Sequence, residues 1–130
     1  MVDTNVLFDI AEKENVKIYY GDIEDILAMS VPNAICINIG LFCETAQERV
    51  CLAHELGHCV NDAFYNRFSP IDERSKHEAT ANRWAIKKLV PEDELKDACR
   101  YLTNRWELAF HFGVTEDFMQ QAMDYYRNGV

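Results

Sequence analysis

The sequence has no apolar run approaching the roughly 20 residues needed to cross a bilayer, which excludes a transmembrane helix. It has no basic excess either: 13 Lys and Arg stand against 22 Asp and Glu, for a net charge of −9 and a pI near 4.8. A surface of that sign repels phosphate, so the protein as a whole is not built to lie on nucleic acid. Repeats, linkers and low-complexity segments are absent, and with 5 Gly and 3 Pro the composition is neither disordered nor fibrous. The five cysteines, Cys36, Cys43, Cys51, Cys59 and Cys99, form no C-x-x-C pair. The opening Met1-Val2-Asp3-Thr4-Asn5 lacks the positive n-region and apolar core of a secretory signal. An odd number of unpatterned thiols without such a signal is expected to be reduced, and the expected compartment is the cytoplasm.

What is present fits one globular unit. A chain of 130 residues, 48% hydrophobic and 27% charged, can bury a core without staples, so residues 1–130 are expected to form a single domain. Its chemistry is concentrated in Ala53-His54-Glu55-Leu56-Gly57-His58. Helical positions four apart share a face, so His54 and His58 can present imidazole nitrogens to one metal ion, with Glu55 about 100° around. This is the zincin arrangement. Two neutral imidazoles suit a borderline-soft ion such as Zn2+, and one further protein ligand would leave the fourth position for water, whose proton Glu55 could take. Leu52, Leu56, Val60 and Ala63 form an apolar back for this helix, opposite His54, His58 and Asn61. Cys59 follows His58 directly but diverges from it by about 100°, and reads as a packed thiol.

Around that helix the patterning predicts an α+β chain. A first helix, capped by Thr4 or Asn5, runs to about Asn15 with Val6, Leu7, Ile10 and Ala11 inward. Strands follow at Val16–Tyr20, Asp25–Val31 and Ala34–Ile39, the last two joined through Pro32-Asn33, and together they predict a small antiparallel sheet. Tyr65–Asp72 reads as a loop with two exposed aromatics beside the site. Helical pattern resumes from about Arg74 to Val90, and Pro91 opens another helix with Glu92, Asp93 and Glu94 in its first turn.

The third ligand must come from beyond His58, because the positions that follow carry neither the glycine nor the histidine of the metzincin continuation. Glu73, His77 and Glu78 are the candidates. On a helical wheel Glu78 aligns with Asn82, Ala85 and Leu89, whereas Lys76, Arg83 and Lys87 lie opposite. An acid on an apolar face demands a partner, which favours Glu78. Glu73 is explained as a solvated charge near the helix start, and His77 as a packed or surface ring. Asn82, one turn beyond Glu78, is placed to hydrogen-bond a ligand. Tyr65, His77 and the other tyrosines are all candidates for stabilising an oxyanion, and the residues do not choose among them.

His54-Glu55-Leu56-Gly57-His58-Cys59, followed by Arg74 to Ala85 with its Glu78-x-x-Ala81-Asn82 pattern and then Leu89-Val90-Pro91, resembles the ImmA/IrrE family of metallopeptidases over nearly the whole chain. The resemblance implies a zincin-like, gluzincin-type core over residues 1–91 and a helix-turn-helix-like tail over 92–130. It implies His54, His58 and Glu78 on zinc, Glu55 as the base, and a protein substrate. Members carried on prophages and integrative elements are associated with cleavage of a helix-turn-helix repressor, and that target comes from the resemblance alone.

Two other readings compete. Trp106 to Met119 has the cadence of a helix-turn-helix, which suggests a DNA-binding regulator. From Glu92 onward, however, eight acidic residues face four basic ones, and the would-be recognition helix carries Glu116, Asp117 and Asp124 against Arg127. Leu108, Phe112, Phe118 and Met119 are better explained as core, and His111 as structural or surface. The second alternative is a zinc-bound module that sequesters a repressor without cutting it. The retained Glu55 argues against that, since a purely structural site is normally closed by four protein ligands. The expectation is a cytoplasmic zinc endopeptidase, with an extended substrate held on an edge strand around Ile35 to Ile39.

Overall fold

The computed structural model of the chain describes residues 3–21, 26–38 and 45–128. Among them lie six helices and three strands: α1 (Thr4–Lys13), β1 (Lys17–Gly21), β2 (Ala28–Val31), β3 (Ala34–Asn38), α2 (Thr45–Val60), α3 (Ile71–Leu89), α4 (Glu92–Ala98), α5 (Arg105–Phe112) and α6 (Glu116–Asn128). The α+β expectation holds, with the elements near their expected bounds. Asp25 and Ile39, at the expected strand ends, and Cys43 lie outside the described residues. The cap of α1 is neither Thr4 nor Asn5. Asp3 fills that role, its carboxylate accepting from the Asn5 N–H, and Leu7 and Ala11 are the residues that α1 buries. The α3 helix starts at Ile71, three residues before the expected Arg74.

The sheet corrects the sequence reading. Its order is β1-β3-β2, with β1 parallel to β3 and β2 antiparallel to it, so it is mixed rather than antiparallel. Alternation of apolar and polar residues reports which face a residue takes but not the direction of its neighbour, which is why the parallel pair was hidden. The Pro32-Asn33 turn does join β2 to β3, with Asn33 at φ 69, a conformation that Asn tolerates better than most residues. Because β3 is central, with β1 on one side and β2 on the other, it is not the edge expected for Ile35 to Ile39. Among the described strands the edges are β1 and β2.

Ile35 and Ile37 of β3 are buried on the face turned toward α1 and α2, while Tyr19 and Met29, which flank Cys36 in register, are exposed on the other. One hydrophobic cluster joins these isoleucines to Leu7, to Leu52 and Leu56 of α2, to Ile86 and Leu89 of α3, and to Phe112, Phe118 and Met119 of the C-terminal helices. The expected core residues Leu108, Phe112, Phe118 and Met119 are all buried. Burial of apolar side chains, each contributing about 1.5–3 kcal/mol, therefore fastens α5 and α6 to the body that carries α2 and α3.

Two local devices set the geometry of the α2–α3 pair. At Gly57 an added Cβ would lie 2.6 Å from the Ala81 carbonyl oxygen and 2.9 Å from its Cα, so the missing side chain is what allows the two backbones to approach. At the end of α2, Asp62 takes φ 50, and the Ala63 N–H returns to the His58 carbonyl at 2.9 Å while the Asp62 N–H reaches the Cys59 carbonyl at 3.4 Å. This Schellman turn folds Ala63 back against His58.

Candidate metal centre

His54 and His58 lie one turn apart on α2, their rings edge to face with centroids 4.9 Å apart. Glu78 comes from the second turn of α3, across the contact that Gly57 permits. Its Oε2 sits 2.7 Å from His54 Nε2 and 3.2 Å from His58 Nε2. One ligand atom from each of the three lies within 4.8 Å of the others. Both rings offer the same nitrogen to the same oxygen, so the donors converge on a point.

Two of the three donors are held from behind. His58 is buried, and its Nδ1 meets the Ala63 carbonyl that the Schellman turn delivers. A carbonyl can only accept, so Nδ1 donates to it; Nε2 donates here to Glu78, and giving up that proton would free its lone pair for a metal. Glu78 is held through its other oxygen, Oε1, which accepts from the Tyr65 hydroxyl at 2.6 Å. The sequence singled out Tyr65 as one possible oxyanion donor, not as the partner of Glu78. Asn82 does not bond a ligand as expected, since its side-chain amide donates to Gln121 at 2.9 Å and ties α3 to α6. The other candidates stand apart: His77 Nε2 lies 3.7 Å from Glu73 Oε1, a pair one turn apart on α3.

The electrostatics follow from these contacts. Hydrogen bonds from His54 and then His58 hold the Glu78 carboxyl well below the usual carboxylate range, against the opposing effect of burial. For His58, burial works against the charged ring, but the hydrogen bonds to Glu78 and Ala63 and the charges of Glu78 and Glu55 outweigh it and raise its pKa. The Tyr65 hydroxyl is pushed up to about 12, first by its bond to Glu78 and then by burial. Cys59 is half-buried with Sγ 3.7 Å from the Val31 carbonyl oxygen. Burial and then the charge of Glu55 push its thiol up to about 11, and with Sγ on the Val31 carbonyl and outside the His54–His58–Glu78 cluster it is a packed thiol.

Glu55 is half-buried beside His54. With Leu27 and Ala28, His54, Glu78 and Gln121, it lines a cleft of about 540 Å³ between β2, α2, α3 and α6. Two imidazole nitrogens and one carboxylate oxygen form a donor set that suits a tetrahedral divalent ion, with no fourth protein donor among the described residues. The cluster is thus compatible with a metal ion, on the geometry of the donors themselves.

The peptidase family described as IrrE N-terminal-like domain matches residues 3–124. The chain belongs to this family. Membership in the IrrE N-terminal-like family implies metallopeptidase activity, and its match runs from the cap of α1 into α6, across every element that shapes the cleft. No curated protein matches this member of the family. No described helix is long and apolar enough to cross a membrane.

Proposed function

We propose that the protein is a zinc-dependent endopeptidase whose substrate is one specific cytoplasmic protein, a phage-type helix-turn-helix transcriptional repressor. The observation that carries the hydrolase reading is the convergence of His54 Nε2, His58 Nε2 and Glu78 Oε2, with Glu55 on the wall of the same cleft. The repressor is suggested by the resemblance to prophage and integrative-element members of the family.

His54, His58 and Glu78 would hold the metal. When bound, zinc supplies Lewis acidity that polarises a carbonyl and activates water. The chain's own residues do the rest. Glu55 takes a proton from the attacking water and returns it to the leaving amine, a service typically worth about 10²–10⁴-fold. Ala63 fixes the tautomer of His58, and Tyr65 fixes the orientation of Glu78. The edge strand that can align an extended substrate is β2, because Leu27 and Ala28 at its start line the cleft and its outer side faces no described strand. The charge of the C-terminal helices argues against a DNA-binding role.

The test is to incubate the protein with phage-type helix-turn-helix repressors, any encoded beside it first, with and without a chelator, and to look for a discrete fragment. Cleavage should require metal and vanish in Glu55→Gln, which retains every metal donor. An intact repressor that nonetheless co-purifies with the metal-loaded protein would replace the hydrolase by a sequestering module.

A further inference from the structure

The cleft at the metal centre does not end at α2. Val50, Cys51, Thr115 and Asp117 border both it and a second groove of about 1530 Å³ that runs along the N-terminal half of α2 to the corner between α5 and α6. That volume exceeds the roughly 300–1,000 Å³ of small-ligand pockets, so it suits a stretch of polymer.

Two aromatic side chains stand at its far end. Trp106 and Phe110 are four residues apart on α5 and therefore on one face, and they are 59% and 83% exposed. Solvent-facing aromatics of this size gathered beside a groove mark a contact surface, and buried aromatic anchors carry much of the energy of protein recognition. The charged part of the remaining wall is acidic, beside neutral Thr45 and Gln47 and the ring of His111. Glu107, Glu116 and Asp117 line the groove, and among the described residues no Lys or Arg does. An apolar floor rimmed by carboxylates, in a chain of net charge −9, selects a partner that is apolar with basic flanks.

We propose that the groove between the N-terminal half of α2 and the α5–α6 corner binds an apolar, basic-flanked segment of the protein substrate, on one side of the bond presented to the His54–Glu55–His58–Glu78 cleft. This rests on the hydrolase reading above only in calling the occupant a substrate. The shared border at Val50, Cys51, Thr115 and Asp117 makes the two spaces one continuous track, so a chain seated on Trp106 and Phe110 is led toward the metal donors. Specificity then resides in a contact remote from the reacting bond, where binding energy can be used to orient that bond.

The test uses the full chain supplied with zinc and carrying Glu55→Gln, so that a bound peptide is not consumed. Two fluorescein-labelled synthetic peptides with the same Leu- and Phe-rich centre, one flanked by Lys and one by Glu, are titrated by fluorescence anisotropy. The Lys-flanked peptide should bind at least tenfold more tightly. The further pair Trp106→Ala and Phe110→Ala should cost at least tenfold in its affinity with the helical circular dichroism unchanged, since both side chains are exposed. A photoreactive group at one peptide end should cross-link to the cleft wall near Leu27, Ala28 or Gln121. Equal affinity for the two peptides, no binding of either, undiminished binding by the alanine variant, or cross-links confined to surfaces away from the cleft would overturn the proposal. So would conversion of an oligomer to a monomer by the alanine pair, which would assign the groove to a second copy of the chain. Selective binding of the Lys-flanked peptide, together with a repressor left intact by the metal-loaded unsubstituted chain in the cleavage test above, would keep the groove and remove the hydrolase reading alone.

Discussion

The Tyr65 hydroxyl donates to Oε1 of Glu78 at 2.6 Å, while the other oxygen of the same carboxylate meets both imidazoles. A residue from the loop after α2 thus adds a second restraint to the one donor contributed by α3, whose side chain is 42% exposed. Tyr65→Phe should leave all three donors in place and weaken metal binding by about 10–100-fold, the usual cost of losing a partner behind a ligand. Competition against a chromophoric chelator measures this directly. Glu78→Ala should lower the bound metal below one equivalent under conditions that saturate Tyr65→Phe, and unchanged stoichiometry would remove Glu78 from the coordination set.

The chelator-treated chain should have a stability optimum set by the same contacts. The Glu78 carboxyl is held below its ordinary 4.5, by His54 first and His58 next, so its contribution is present above that value and is lost as pH falls through its depressed folded pKa. The His58 ring is raised above its ordinary 6.5, its hydrogen bonds and neighbouring carboxylates outweighing burial, so its contribution is present below 6.5 and is lost as pH rises through its folded pKa. Both are in force between 4.5 and 6.5, where the thermal midpoint should peak. Glu78→Gln should flatten that peak, and a wild-type profile still rising at pH 8 would contradict the assignment.

Gly57→Ala should destabilise the fold even though alanine is the better helix former. The added Cβ meets backbone atoms of Ala81, which cannot swing aside, so α2 and α3 must separate at an expected cost of about 1–3 kcal/mol. Urea unfolding reads the loss, and metal affinity should fall with it because the donors sit on those two helices. A variant as stable as the parent would show that the contact is looser than its geometry indicates.

Arg49 should be the most costly polar residue to remove. It is 4% exposed, and its guanidinium donates to the Gly113 carbonyl at 3.0 Å, the Phe112 carbonyl at 3.2 Å and the Thr4 hydroxyl at 3.1 Å. These bonds close the C-terminal end of α5, where unpaired carbonyls gather negative potential. Arg49→Ala should cost about 2–4 kcal/mol. Arg49→Lys should recover less than half of that, because an ammonium cannot span the fork. Equal stability of the two proteins in urea would contradict the clamp.

These residues also show what was legible beforehand. His54, His58 and Glu78 could be found because helical spacing is a local property, and because an acid on an otherwise apolar face announces an unseen partner. Arg49 could not: a charged residue in the first half of a helix ordinarily reads as solvated, and two of its partners are backbone oxygens more than sixty positions away. Tyr65 was visible as a loop aromatic, but its aim at Glu78 depends on how the Asp62 turn redirects the chain. Asn82 lies on the face of α3 that the pattern predicts but bonds Gln121 rather than a ligand, because the approach of α6 is a tertiary event. The sheet was legible as three strands and one hairpin, and its mixed direction was not, since pleating is the same whichever way a neighbour runs.

The absent side chain at Gly57 has a consequence for ion choice. With backbone resting on backbone at Ala81, the gap between the helices that carry the donors is fixed by hard contact rather than by compressible packing. A cation of larger radius would have to be accommodated by the torsions of His54, His58 and Glu78 alone, two of which are already pinned, His58 by Ala63 and Glu78 by Tyr65. A metal held by these three residues would thereby be sorted by size through the spacing of two main chains.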